Sequence, residues 1–95
     1  MKTTRESLIE VLEEAKGLVA RSGNDFSWSG WRDREEALAE IQALIARAKV
    51  GDESKRLDVR VLFAPTGPLQ ELSMSSGWAD DFLKLASRFD ATEYA

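Results

Sequence analysis

LDVRVLFAPTGPLQELSMSSGW, residues 57–78, is the stretch on which the fold turns, because helical patterning stops at its start and two prolines and two glycines fall within it. In its first seven residues Leu57, Val59, Val61 and Phe63 alternate with Asp58, Arg60 and Leu62, the two-residue repeat of a half-buried strand. Pro65, Gly67 and Pro68 then make a turn through which neither helix nor sheet continues. Leu69 to Met74 reads either as a returning strand, with Gln70, Leu72 and Met74 on one face, or as a helical turn around Leu69 and Leu72. The strand is preferred, since a first strand needs a partner. A lone hairpin is marginal in water, so helices must cover one of its faces.

Working outward, Ser75 or Ser76 is placed to cap a last helix, with Asp80 and Asp81 in its first turn where the dipole favours negative charge. Trp78, Phe82, Leu85, Ala86 and Phe89 form its apolar stripe. The closing ATEYA, residues 91–95, reads as a tail from which Tyr94 can fold back. Upstream, Asp33 and Glu36 have the spacing of a capping box for a second helix that ends at Gly51. That helix is apolar on two sides. Ala37, Leu38, Ile41, Leu44, Ile45 and Ala48 make one stripe, and Ala39, Ala43, Ala46 and Val50 a second roughly opposite. Such a helix is expected to lie centrally, its alanine side either covered, by this chain or a second copy, or simply solvated. Thr3 and Glu6 offer an earlier capping box for a first helix striped by Leu8, Val11, Leu12, Ala15 and Val19. Gly23 is its expected stop, and Gly17 within it either weakens it or admits a close neighbour. The expected architecture is α+β, three helices packed with a small antiparallel β-hairpin in the order ααββα, with an all-α bundle as the alternative.

At 95 residues the chain is long enough for one core and too short for two, so residues 1–95 are expected to form a single domain. It is 43% hydrophobic and 32% charged, with apolar material sufficient for folding without staples. No cysteine is present, which excludes disulfides and thiolate metal sites and fits a reducing compartment. The N-terminal MKTTRESLIEVLEE puts acids where a secretory signal carries its apolar stretch, and no run approaches the ~20 apolar residues of a spanning helix. A cytoplasmic location is therefore expected, with no membrane partner. The net charge is −4, and most of the excess lies in residues 58–95, with six acids and three bases. Without a basic face, nucleic acid is not an expected partner.

Chemistry is sparse. With neither His nor Cys, the usual triads cannot be built. The adjacent acid pairs Glu13–Glu14, Glu35–Glu36 and Asp80–Asp81 point about 100° apart on a helix and are explained by exposure or capping. Gly67 and Gly77 lack the spacing of a phosphate loop. No catalytic residue, metal or cofactor is expected. Two stretches remain as candidate surfaces. In GNDFSWSGWRD, residues 23–33, Phe26, Trp28 and Trp31 alternate with small polar residues; such rings either cap the core or offer a face for sugars or protein partners. The turn holding Pro65, Thr66, Gly67 and Pro68, with Glu71 beside it, is either a plain connection or a rigid docking feature.

The run FAPTGPLQEL from Phe63 to Leu72, followed by Ser76-Gly77-Trp78 and Phe82, resembles a motif of a small bacterial protein family, a domain of unknown function. The resemblance covers about a third of the chain and implies a bacterial source but no activity. In size, acidity and lack of catalytic groups the chain is also similar in type to toxin-neutralising immunity proteins. The functional expectation is a non-enzymatic protein-interaction module, as an immunity-type inhibitor would be, using Trp28, Trp31, the Pro65–Glu71 turn, Asp80 and Asp81 against a basic protein partner. Alternatives are a small-ligand or carbohydrate binder built on the tryptophans, and a self-assembling protein that pairs through Ala39, Ala43 and Ala46.

Overall fold

In the computed structural model, which describes residues 3–95, the chain folds as α1 (Thr4–Val19), α2 (Arg34–Lys49), α3 (Arg56–Phe63), α4 (Pro68–Ser76) and α5 (Ala79–Asp90), with no strand among the described residues. The expected α+β architecture is thereby overturned, because both segments assigned to the hairpin are helices. In α3 the buried side chains are Val59, Leu62 and Phe63, the i, i+3, i+4 set of a helix. Leu57 and Val61, which the strand reading placed inside with Val59 and Phe63, are 67% and 52% exposed. Val59 and Phe63 satisfy both periods, and burial of Leu62 decides between them.

The second supposed strand is a helix with clear punctuation at both ends. Pro68 stands at its first position, where a missing N–H costs nothing and the fixed φ suits a helix. Gly77 closes it in the left-handed region at φ 85°, and the Trp78 N–H returns to the Ser73 carbonyl over 2.9 Å. Leu69, Leu72 and Ser73 face inward, again at i, i+3, i+4. Between α3 and α4 the Gly67 N–H bonds the Ala64 carbonyl at 2.9 Å, with Pro65 and Thr66 as the two central residues. Thr66 has φ 64°, the value that the third position of a type II turn requires and that glycine or asparagine usually supplies. Gly67 is needed for another reason: a Cβ there would lie 2.5 Å from the Val61 carbonyl oxygen and 2.9 Å from that of Ala64.

The first two helix starts form as the capping spacing predicts. Thr3 accepts the Glu6 N–H at 3.1 Å and Asp33 accepts that of Glu36 at 2.9 Å. The expected serine cap before α5 does not form. Ser75 and Ser76 belong to the last turn of α4, and Trp78 occupies the N-cap position of α5 without a side-chain cap bond.

The central helix is α1 rather than α2. It packs between α2 and α5, and Leu8, Val11, Leu12, Ala15 and Val19 are at most 1% exposed. α4 lies on α5 and α3 on α4, while stacked rings of Phe63 and Phe89, 4.6 Å between centroids, join α3 to the end of α5. α2 buries one of its two apolar sides, through Ala37, Ile41, Leu44, Ile45 and Ala48, and leaves Ala39, Ala43, Ala46 and Val50 exposed. At the C-terminus Tyr94 does fold back, with the Arg56 guanidinium 5.1 Å from its ring centre. The radius of gyration is 12.4 Å, about that expected of one compact unit of this length. No helix of the described residues is long and apolar enough to cross a membrane.

Candidate functional site

The aromatic segment after α1 is fixed by polar groups that the sequence pattern gives no reason to single out. The carbonyls of Leu18 and Val19, in the last turn of α1, each accept from the Asn24 amide at 3.0 Å. The Asn24 side-chain oxygen in turn accepts the Trp78 indole N–H at 2.9 Å. The next residue is held from a second direction: the Asp25 N–H donates to the Ser76 hydroxyl at 2.9 Å, and the Ser75 hydroxyl donates to the Asp25 carbonyl at 2.8 Å. The two serines expected to cap a helix instead clasp a loop some fifty residues away. Further along, the Ser29 hydroxyl donates to the Phe26 carbonyl at 3.0 Å and accepts the Trp31 N–H at 3.1 Å.

This framework separates the two tryptophans. Trp31 is 6% exposed, and its indole N–H donates to the Glu40 carboxylate on α2 at 2.6 Å. Trp28, between two immobilised turns, is 71% exposed. The pair therefore does not form a double stacking platform: one ring packs into the core and the other stands in solvent.

Charge collects at the same end of the molecule. The end of α1, the loop and the starts of α2 and α5 contribute Asp25, Asp33, Glu35, Glu36, Asp80 and Asp81 against Arg21, Arg32 and Arg34. Arg21 reaches Asp81 at 3.6 Å, and Arg32 lies 3.5 Å from Asp33 and 3.7 Å from Glu36. Hydrogen bonds from the Ser27 side chain and backbone hold the Asp25 carboxyl below its ordinary range, and the Glu36 backbone N–H does the same for Asp33. Asp80 is exposed and Asp81 half-buried beneath the arginine.

The other predicted docking feature is elsewhere. Pro65 and Thr66 are exposed, Pro68 and Glu71 partly covered, and Gly67 buried against α3. The length of α4, about 13 Å, separates this turn from the clasp at Ser75 and Ser76. Pro68 instead borders an open groove of about 320 Å³ between α2 and α3. Ala43 and Leu44 form one apolar wall and Val61 and Leu62 the other, beneath Glu40, Arg47, Lys55 and Asp58. A sequence reading that makes 57–63 a strand has no means of finding this groove. A second groove, between α1 and α5, is spanned by Arg21–Asp81 and by Arg88–Glu14.

Among the described residues no three acidic side chains gather as a metal site. The motif residues Phe63, Leu69, Leu72, Trp78 and Phe82 are all buried, so they act as core. What the arrangement offers is binding: an exposed ring on a fixed loop within an acidic end, and an apolar groove elsewhere. Compared with models of known protein families, with curated proteins and with solved structures, the chain matches none.

Proposed function

We propose that this protein is a non-enzymatic protein-interaction module whose Trp28 loop and surrounding acids engage a basic protein surface, as an immunity-type inhibitor would. The observation that carries the reading is Trp28 itself. An indole left 71% exposed forgoes burial on folding, and here the segment around it is immobilised by bonds that do not involve its ring. A rigid aromatic displayed in this way loses little freedom on binding, which is what makes tryptophan a frequent anchor at interfaces. Asp25 in the same loop, and Asp80 and Asp81 at the start of the helix that follows the clasp, favour lysine- and arginine-rich partners and speed their approach at low salt. The carbohydrate alternative has less support, because the buried Trp31 leaves Trp28 without a second stacking ring.

The test is affinity capture from a bacterial lysate at low and raised salt, with wild type, Trp28→Ala and Asp80→Lys immobilised in parallel. A stoichiometric basic protein held by wild type, released by salt and lost from both variants is the expected result. It should bind one-to-one when the two purified proteins are titrated in a calorimeter. Equal retention by all three forms, or a partner that is itself acidic, would refute the proposal. Both side chains are exposed, so unchanged thermal melting of the variants is expected and checks that loss is not unfolding.

A further inference from the structure

We infer that the C-terminal tail, residues 91–95, is a strap that latches α3 against α1 and α2, so that its release frees the amino end of α3 while the rest of the fold stays closed. α3 has little of its own to hold it. It is eight residues long, well under the roughly 12–15 at which an isolated helix becomes marginal, and Lys55 at its N-cap position makes no side-chain cap bond. Its carboxyl end is anchored, by the Phe63–Phe89 stack and by packing on α4. Its amino end depends on the tail. From Phe89 the chain turns through Thr92, whose hydroxyl donates to the Phe89 carbonyl at 2.7 Å and accepts the Tyr94 N–H at 3.2 Å, and so runs back along α3. There the Arg56 guanidinium donates to the Glu93 carbonyl and lies 5.1 Å from the centre of the Tyr94 ring. That ring is half-buried beside Leu8 of α1, Leu44 and Ala48 of α2 and Val59 of α3, and the void left among them is about 10 Å³, room for one water at most. Tyr94 thus fills a hollow where three helices meet, and one residue of α3 grips both the ring and the backbone of the strap.

Such an opening exposes little surface, so native-state hydrogen exchange in low urea separates it from global unfolding. In wild type the amides of Val59, Arg60 and Val61, whose helical partners lie in the first turn of α3, should exchange with weak urea dependence, while those in the middle of α1 follow the full slope of unfolding. Tyr94→Ala should speed exchange at 59–61 about tenfold, through lost ring burial and the lost contact with the guanidinium. The slowest amides of α1 should speed by the same factor, because the seated ring is given up in either opening. Tyr94→Phe, which keeps the ring, should exchange like wild type. A wild-type α3 that shares the urea slope of α1, exchange in α3 unmoved by Tyr94→Ala, or a Tyr94→Phe protein as fast as Tyr94→Ala would each overturn the inference.

Discussion

Two glycine-to-alanine substitutions in one chain should have opposite signs. At Gly67, φ is −76° and ψ 175°, a conformation alanine adopts freely, so stiffening of the unfolded chain alone favours alanine by about 0.4–1 kcal/mol. Against that, the new Cβ would meet the Val61 oxygen at 2.5 Å and the Ala64 oxygen at 2.9 Å. Both are backbone atoms, one in the last turn of α3 and the other accepting the bond that closes the following turn. Neither can rotate aside as a side chain would, which puts the steric cost near the upper part of the overpacking range, about 3 kcal/mol. The net expectation for Gly67→Ala is about 2 kcal/mol of destabilisation, or a Tm lower by about 8–16 °C in a domain of this size. At Gly17, in α1, no heavy atom lies within 4 Å of the corresponding Cβ, and the expectation reverses. Gly17→Ala should stabilise by about 0.5–1 kcal/mol through helix propensity alone. Urea titration followed by far-UV circular dichroism, with thermal melts alongside, reads both. A Gly67→Ala protein as stable as wild type would refute the close approach of turn and helix, and a destabilised Gly17→Ala would refute the open α1 surface.

The remaining predictions concern the turn, the loop and the charges. Thr66→Gly should stabilise by about 0.5–1 kcal/mol: left-handed φ costs a branched residue about 1–2 kcal/mol and glycine returns about half of that as unfolded entropy. A lower urea midpoint would contradict it. Asn24→Ala deletes two donated bonds and one accepted from Trp78, and should cost about 2–3 kcal/mol. Faster exchange of the Trp78 indole proton by NMR should accompany the loss, and an unmoved exchange rate would count against the bridge. The Asp52 carboxyl is lowered from 3.8 to about 2, first by the Ser54 backbone N–H and then by Arg47. A depressed folded value stabilises the protein above pH 3.8 and is lost as pH falls toward 2, so Asp52→Asn should narrow its stability gap from wild type over that window. A constant gap across it would show that Asp52 is not coupled to folding. Acrylamide should quench Trp28 far more readily than Trp31 or Trp78, and Trp28→Phe should remove the quenchable component.

Three helices were legible because their signals agree. In α1, α2 and α5 the apolar stripes repeat with the helical period, and Thr3 and Asp33 mark two of the starts. The segment 57–63 defeats that reading because a spacing of four, as between Val59 and Phe63, belongs to both periods, and exposed Leu57 and Val61 imitate the rest of a strand. A strand at 57–63 in turn demands a partner, and Leu69–Met74 is the nearest segment. Pro68 and Gly77, nine residues apart, already bracket a helix of ordinary form, and that punctuation is better evidence than the need for a partner. Which tryptophan lies inside could not be read locally, because Trp28 and Trp31 both sit among small polar residues. The choice depends on Glu40, two turns into α2, as hydrogen-bond partner to one indole. The acids near Asp80 were legible as charge, and their association with the Trp28 loop required Ser75, Ser76 and Trp78 to be in place.

The clasp between Asn24–Asp25 and Ser75–Trp78 also sets an order of events as the chain folds. Its bonds span 50 to 54 residues, among the longest separations in the hydrogen-bond network, whereas α1 and α2 can pair across a loop of fourteen. Closing the longer loop carries the larger entropic cost and comes late unless something else brings the ends together. The α1–α2 hairpin and the local bonds of Asn24 and Ser29 are therefore expected to form before the clasp closes. Docking of the last third of the chain then adds the Asp25 and Trp78 bonds to the local ones of Asn24 and Ser29, so the loop that displays the indole is held from both ends of the sequence.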